Sequence, residues 1–291
     1  MSYKSVFAPD LFAGQIIIVT GGGSGIGRCT AHELARLGAT VAIVGRKVEK
    51  LDAVAAEIIE DGGKVSTHVC DIRDEATVIA TIEAILAKHG KIDGLVNNAG
   101  GQYRSALAEV STKGFEAVVK NNLTGGFIFM REVYNRWMEA HGGNIVNMIA
   151  DIWHGWPNFA HSAASRGGMH TLSESAASEW AASNVRVNTV APGAIASSGL
   201  DTYDVKHTAY IQREIAQEIP LQRFGNEAEV SAAIVFLLSP AASYITGSCI
   251  RIDGGGPNAR RMWHKLAPSD KNKPFDGFHR AKPPAILATQ D

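Results

Sequence analysis

VTGGGSGIG, residues 19–27, decides the fold. It follows the apolar run QIIIVT and opens the helical pattern GIGRCTAHELARLG. A strand that turns sharply into a helix begins a βαβ unit. Gly21, Gly25 and Gly27 fall as G-x-x-x-G-x-G, which differs from the G-x-G-x-x-G spacing. Glycine permits the tight turn and lets backbone N–H groups approach an anion at a helix N-terminus. Gly21, Gly23, Ser24, Gly25, Ile26 and Gly27 are therefore the candidate contacts of a dinucleotide pyrophosphate.

The same alternation continues outward. TVAIVG precedes KVEKLDAVAAEIIEDG, and KVSTHVCD precedes DEATVIATIEAILAKHG. IDGLVNNAG, GNIVNMI, NVRVNTVAPG and GSCIRIDGG complete the series of apolar runs. Short apolar runs separated by helices imply right-handed crossovers and a parallel sheet covered on both faces. The expected fold class is α/β, a doubly wound parallel sheet (Rossmann) in a single domain over residues 1–256. Residues 196–220, with the helical pattern AYIQREIAQEI, fall between the sixth and seventh strands, where a small substrate lid belongs. Residues 257–291 form a Pro-rich C-terminal extension with seven Lys and Arg against three Asp, a net +4. It carries Trp263 and Phe278 and reads as a flexible tail, or as an arm over a neighbouring subunit or an anionic ligand.

The whole chain has 291 residues, is 45% hydrophobic and has a formal net charge of −1. That is enough apolar residue for a large core, and too little net charge for general nucleic-acid or membrane-surface binding. No apolar run approaches the ~20 residues of a membrane span, and the N-terminus lacks a signal-peptide core. Cys29, Cys70 and Cys249 lie far apart in apolar segments, so no metal site is expected and a reducing cytoplasm fits. The second strand ends Gly45-Arg46-Lys47, with no carboxylate for a ribose 2′-hydroxyl. Arg46 can instead pair with a 2′-phosphate through its planar fork, which favours NADP(H) over NAD(H).

Taken together, TGGGSGIG, NNAG (residues 97–100), NNLTGGF (residues 121–127) and APGAI (residues 191–195) resemble the short-chain dehydrogenase/reductase family. The resemblance reaches to about Gly255. It implies that Asp71 and Ile72 border the adenine and that Asn98, Ala99 and Gly100 line the cofactor. It implies further that Pro192, Gly193, Ile195 and Ser197 close over the nicotinamide, and that Asn122 is the active-site asparagine. Members of the family commonly assemble as tetramers, so a homo-oligomer is expected.

The departures from the family pattern are informative. The family's serine position holds Ala150, its tyrosine position Ser162 and its lysine position Arg166. In HSAASRGG, residues 161–168, the spacing of Ser162 and Arg166 puts both on one face of a helix. A phenol of pKa about 10 is replaced by a hydroxyl with no useful acidity, and a tunable ammonium by a fixed guanidinium. Such a pair suits hydride addition to an enoyl thioester, where an enolate oxygen needs donors and positive field, better than ketone reduction. The enoyl-CoA and dienoyl-CoA reductases of the family resemble this chain most, which implies an acyl-CoA thioester as substrate. Dehydrogenases of terpenoid alcohols and aldehydes also resemble it, and a catalytically silent nucleotide-binding regulator is a third reading. Ser162, Arg166 and Asn122 are the candidate catalytic residues, with Arg166 also placed to hold the nicotinamide ribose. Tyr103 is a candidate relocated phenol, and Asp151, His154 and His161 are candidate proton donors. Trp153, Trp156 and Phe159 can wall an acyl pocket, and Arg28 and Lys47 can meet a CoA phosphate.

Overall fold

The computed structural model describes residues 2–202, 214–259, 267 and 269–287. The chain runs β1 (Ile16–Thr20), α1 (Gly25–Arg36), β2 (Thr40–Gly45), α2 (Val48–Glu60), β3 (Lys64–Val69), α3 (Glu75–His89) and β4 (Gly94–Asn97). It continues with α4 (Thr112–Val119), α5 (Gly125–Val133), α6 (Glu139–His141), β5 (Gly143–Met148), α7 (Ala160–Glu179) and β6 (Val185–Pro192). The last elements are β7 (Ile195–Ala196), α8 (Ala216–Glu218), β8 (Gly225–Asn226), α9 (Glu227–Leu238) and β9 (Cys249–Ile252). Seven strands form one sheet in the order β3-β2-β1-β4-β5-β6-β9, every neighbouring pair parallel. This is the doubly wound α/β fold expected from the sequence. A short β7–β8 ladder lies outside that sheet.

The period of two along the strands explains why both faces are covered. Ile17, Val19, Val41 and Ile43 join one apolar cluster with α1, α2 and α9, through Leu34, Val54 and Ile234. Ile16, Ile18, Ala42 and Val44 join the other with α3, α5 and α7, through Ile82, Phe129 and Met169. Each fully buried Ile or Leu contributes roughly 1.5–3 kcal/mol of transfer free energy. Local signals set the helix ends. Asp74 caps α3 by accepting from Thr77 N–H, and Gly90 ends it at φ 77°. Asn226 and Glu229 form a reciprocal capping box on α9. No helix among the described residues is long and apolar enough to cross a membrane.

Strand order reverses between β1 and β4. The crevice at the carboxyl ends of these strands is where such sheets bind ligands. The glycine turn after β1 and NNAG at the end of β4 meet there. Residues 209–213 of the expected lid helix AYIQREIAQEI lie outside the described residues, and the part that follows shows α-helix at Ala216–Glu218. Arg260, Arg261, Trp263 and Lys265 of the tail also lie outside them.

The described part of the tail packs on this chain's own surface rather than hanging free. Phe275 accepts through its carbonyl from Asn226 Nδ2 at the start of α9. Lys4 N–H donates to the Gly277 carbonyl. Phe278 is only 2% exposed, packed with Tyr3, Cys29 and Ala228. His279 and Arg280 then reach Asp61 just past α2. The physical cause is one buried aromatic ring and the Arg280 guanidinium, which meets the acidic end of α2.

Candidate active site

The turn after β1 fits a dinucleotide. Gly21 adopts φ 68°, a region that glycine enters freely. A Cβ on Gly27 would run into the Gly21 carbonyl oxygen and the Asn98 side chain. The Ser24 side chain makes no cap on α1, and the first turn of that helix carries no acidic residue. Its N-terminal N–H groups are thus left for an anion from outside the helix. Thr20 ties the turn to β4, a role the sequence reading missed. Its Oγ1 accepts from the backbone N–H of both Asn98 and Ala99 at 2.9 Å, and its carbonyl accepts from Asn98 Nδ2. Arg46 and Lys47 are exposed at the carboxyl end of β2. Asp71 lies within electrostatic reach of Arg46, but its own partner is Arg73, whose hydrogen bonds hold the Asp71 carboxyl down to about 2. Ile72 is buried beneath Gly125.

The expected catalytic residues are brought together. Ser162 and Arg166 share the inner face of α7, and both are buried. Ser162 Oγ donates to Gln102 Oε1 at 2.7 Å. Gln102 was not anticipated as its partner, although it directly follows NNAGG. Arg166 Nη1 donates to the Met148 carbonyl at 2.6 Å, at the end of β5. The Arg166 guanidinium also lies against Gly100, where a Cβ would sit 2.5 Å from Nη2 and 2.9 Å from Asn122 Oδ1. Burial lowers the guanidinium to about 10, so it remains a cation at neutral pH.

Asn122 sits in a π-helical turn, Lys120–Thr124, between α4 and α5. Such turns cost helix geometry and are frequent at functional sites. Its Oδ1 accepts from Gly101 N–H at 2.8 Å, while Nδ2 is buried with no partner among the described residues. A second helix, α7, packs against this turn through Gly168 and Leu123. Gly100, Asn122, Ser162 and Arg166 thus form one constellation at the ends of β4 and β5, with a hydroxyl, an orphaned amide donor and a fixed cation.

Other candidates are placed differently. The Tyr103 ring lies tilted against His161, 4.5 Å between ring centres, and its hydroxyl lies over Gly114 of α4. His161 is fully buried, and burial lowers its pKa. Asp151 is half-buried beyond β5, with its carboxyl pushed up by burial and by nearby Asp253. Trp153, His154 and Asp151 share a cleft with Gly256, Pro257 and Asn258. Trp153 lies under the Arg251 guanidinium, 5.3 Å from ring centre to cation. Pro192 ends β6, Gly193 N–H donates to Ile252, Ile195 is buried in the β7–β8 ladder, and Ser197 N–H donates to the Ile195 carbonyl. Arg28 does not point to the site. It makes a two-pronged pair with Glu57 and covers the Phe278 ring, because α2 and the tail enclose it.

Comparison with known proteins identifies the family. Residues 21–256 match the family described as Enoyl-(Acyl carrier protein) reductase. The chain is 35% identical over 256 residues to the peroxisomal 2,4-dienoyl-CoA reductase of Danio rerio, covering 87% of this chain and 85% of that protein. It is 33% identical to a probable 2,4-dienoyl-CoA reductase of Bacillus subtilis, covering 83% and 96%. Among solved structures, a citronellol catabolism dehydrogenase (AtuB) of Pseudomonas aeruginosa is 56% identical. It covers 88% of this chain and 100% of its own, with a TM-score of 0.79. With its glycine turn, its NNAG strand end and its parallel sheet matched over nearly their whole length, this chain is an oxidoreductase of the short-chain dehydrogenase/reductase family.

Proposed function

We propose that the protein reduces the C2–C3 double bond of a trans-2-enoyl-CoA thioester, using NADP(H). The observation that carries this reading is the buried Ser162–Arg166 pair in place of a phenol and an ammonium. A bound nicotinamide would supply a hydride to Cβ. Negative charge then gathers on the thioester oxygen as an enolate, which needs hydrogen-bond donors and a fixed positive field. Ser162 offers the hydroxyl, Asn122 Nδ2 an unpartnered amide donor, and Arg166 the charge. None of the three is a useful acid near neutral pH, which is what a ketone would demand of the same position. The Cα proton can come from water or from Asp151. Exposed Arg46 and Lys47, with no carboxylate at the end of β2, support NADP(H). The family's habit supports a homotetramer.

A second reading is favoured by the 56% identity to the citronellol catabolism dehydrogenase, namely oxidoreduction of a branched terpenoid alcohol or aldehyde. The test is NADPH oxidation with a medium-chain trans-2-enoyl-CoA beside citronellal. Turnover of the thioester alone supports the first reading, and turnover of citronellal alone replaces it with the second. Binding of NADPH without either reaction would point to the nucleotide-binding regulator.

A further inference from the structure

Glu227 opens α9 immediately after its cap Asn226. It is 9% exposed, and no donor among the described residues hydrogen-bonds its carboxylate. The carboxylate faces the dinucleotide turn. A Cβ on Gly25 would lie 3.9 Å from Glu227 Oε1 and equally 3.9 Å from Ser198 Oγ. Gly25 is the first residue of α1, the helix whose own first turn supplies no acidic residue. A carboxylate from another helix therefore stands beside the positive end of α1. A pyrophosphate held by the same turn would bring like charge to that place.

We propose that Glu227 is a proton-linked residue of the dinucleotide site, whose carboxylate beside Gly25 takes up a proton when the phosphates occupy the turn. Binding then takes up a proton and weakens as pH rises. The surroundings favour this behaviour. Burial pushes the Glu227 carboxyl up to about 7, opposed only by Arg28. Arg28 is claimed by Glu57 and Phe278, so it is a nearby cation rather than a partner. His32 and Arg36 also lie on α1, with His32 turned to Glu57 and Asp61; against the start of α9 stand Cys29, Glu33 and Tyr3. Burial raises the pKa of these last three, which keeps the thiol and the phenol uncharged at neutral pH. On its own helix, Glu229 is committed to Arg223 and to the Asn226 N–H. Ser198 carries no charge.

The inference rests on reading the turn as a dinucleotide site and is independent of the substrate. The test measures NADPH binding to the full-length protein between about pH 6 and pH 8, by fluorescence and by calorimetry in buffers of different ionisation heat. The Kd of the unaltered protein is expected to rise by up to about tenfold per pH unit above neutrality. In Glu227→Gln that added dependence should disappear, and the proton uptake should fall by about one. Titration of the 2′-phosphate is common to both proteins and cancels in the difference. Glu227→Asp, which keeps the charge, should retain the linkage, and thermal unfolding reports whether either variant is folded. Parallel pH curves for the unaltered protein and Glu227→Gln would overturn the inference alone. Failure of both NADPH and NADH to bind at any pH would overturn the dinucleotide site and the inference together.

Discussion

The Ser162 hydroxyl donates to Gln102 Oε1 across 2.7 Å, joining the start of α7 to the segment that follows β4. That bond gives the hydroxyl a defined direction in a place where solvent does not reach it. It also occupies the one proton that Ser162 can donate, so a substrate oxygen must compete with Gln102 for it.

Ser162→Ala should lower kcat for an enoyl thioester about a hundredfold, the usual cost of losing one oxyanion donor. KM should change much less. The variant should also lose about 1–3 kcal/mol of stability, because the amide of Gln102 loses a donor in a shielded place. Steady-state NADPH oxidation and urea unfolding measure the two effects. Unchanged kcat would remove Ser162 from the oxyanion role.

Arg46→Asp should invert the cofactor preference. Charge-assisted hydrogen bonds contribute about 1.5–3 kcal/mol, so NADPH affinity should fall about tenfold to a hundredfold. A carboxylate at the end of β2 can accept from a ribose 2′-hydroxyl, so NADH should bind better than before. Kd values for both nucleotides, measured on the same preparation, decide the matter.

The tail offers a contrast between apolar and ionic anchoring. Phe278→Ala should destabilise the fold by about 3–5 kcal/mol, since the ring is buried against Tyr3, Cys29 and Ala228. Arg280→Ala should cost about 1 kcal/mol or less, because its pairs with Glu60 and Asp61 are partly solvated. Urea unfolding of the two variants gives both numbers. A larger loss for Arg280→Ala would show that charge, not burial, holds the tail.

Stability should fall on the acid side of pH 6.5. Ser66 Oγ lies 3.0 Å from His68 Nε2 and 2.9 Å from His89 Nε2. Burial, then Lys88 and His89, bring His68 from 6.5 down to about 4. The unfolded chain therefore binds more protons than the native one between those values, and stability rises with pH across that window. Below about 4 the native ring is protonated too, and the dependence ends. Burial lowers His32, His89 and His161 as well, so all four act in one direction. His68→Gln should flatten part of this slope, read as the difference in thermal midpoint between about pH 7 and about pH 5.

The architecture was legible because it depends on local pattern. Apolar runs such as IIIVT and TVAIVG are buried on both faces, and a continuous apolar run is the mark of a covered parallel strand. The glycine turn was legible because backbone conformation and close approach constrain which residue can stand there. The four-residue spacing of Ser162 and Arg166 already placed them on one helix face.

Partnerships across long stretches of chain were not legible. Nothing near Ser162 in sequence names Gln102, and nothing near Arg28 names Glu57 or Phe278. Thr20 carries two backbone donors from NNAG only because β1 and β4 are neighbours in the sheet. Glu227 reads as an ordinary surface residue at a helix start, and only the packing of α9 on α1 buries it beside Gly25. By itself the sequence determined the sheet, its crossovers and the residue types at the strand ends, because periodicity, propensity and steric limits act within a few residues. Tertiary structure alone decided which hydroxyl has an acceptor, which cation is already paired and which carboxylate loses its water, because those depend on what folding brings within a few ångströms.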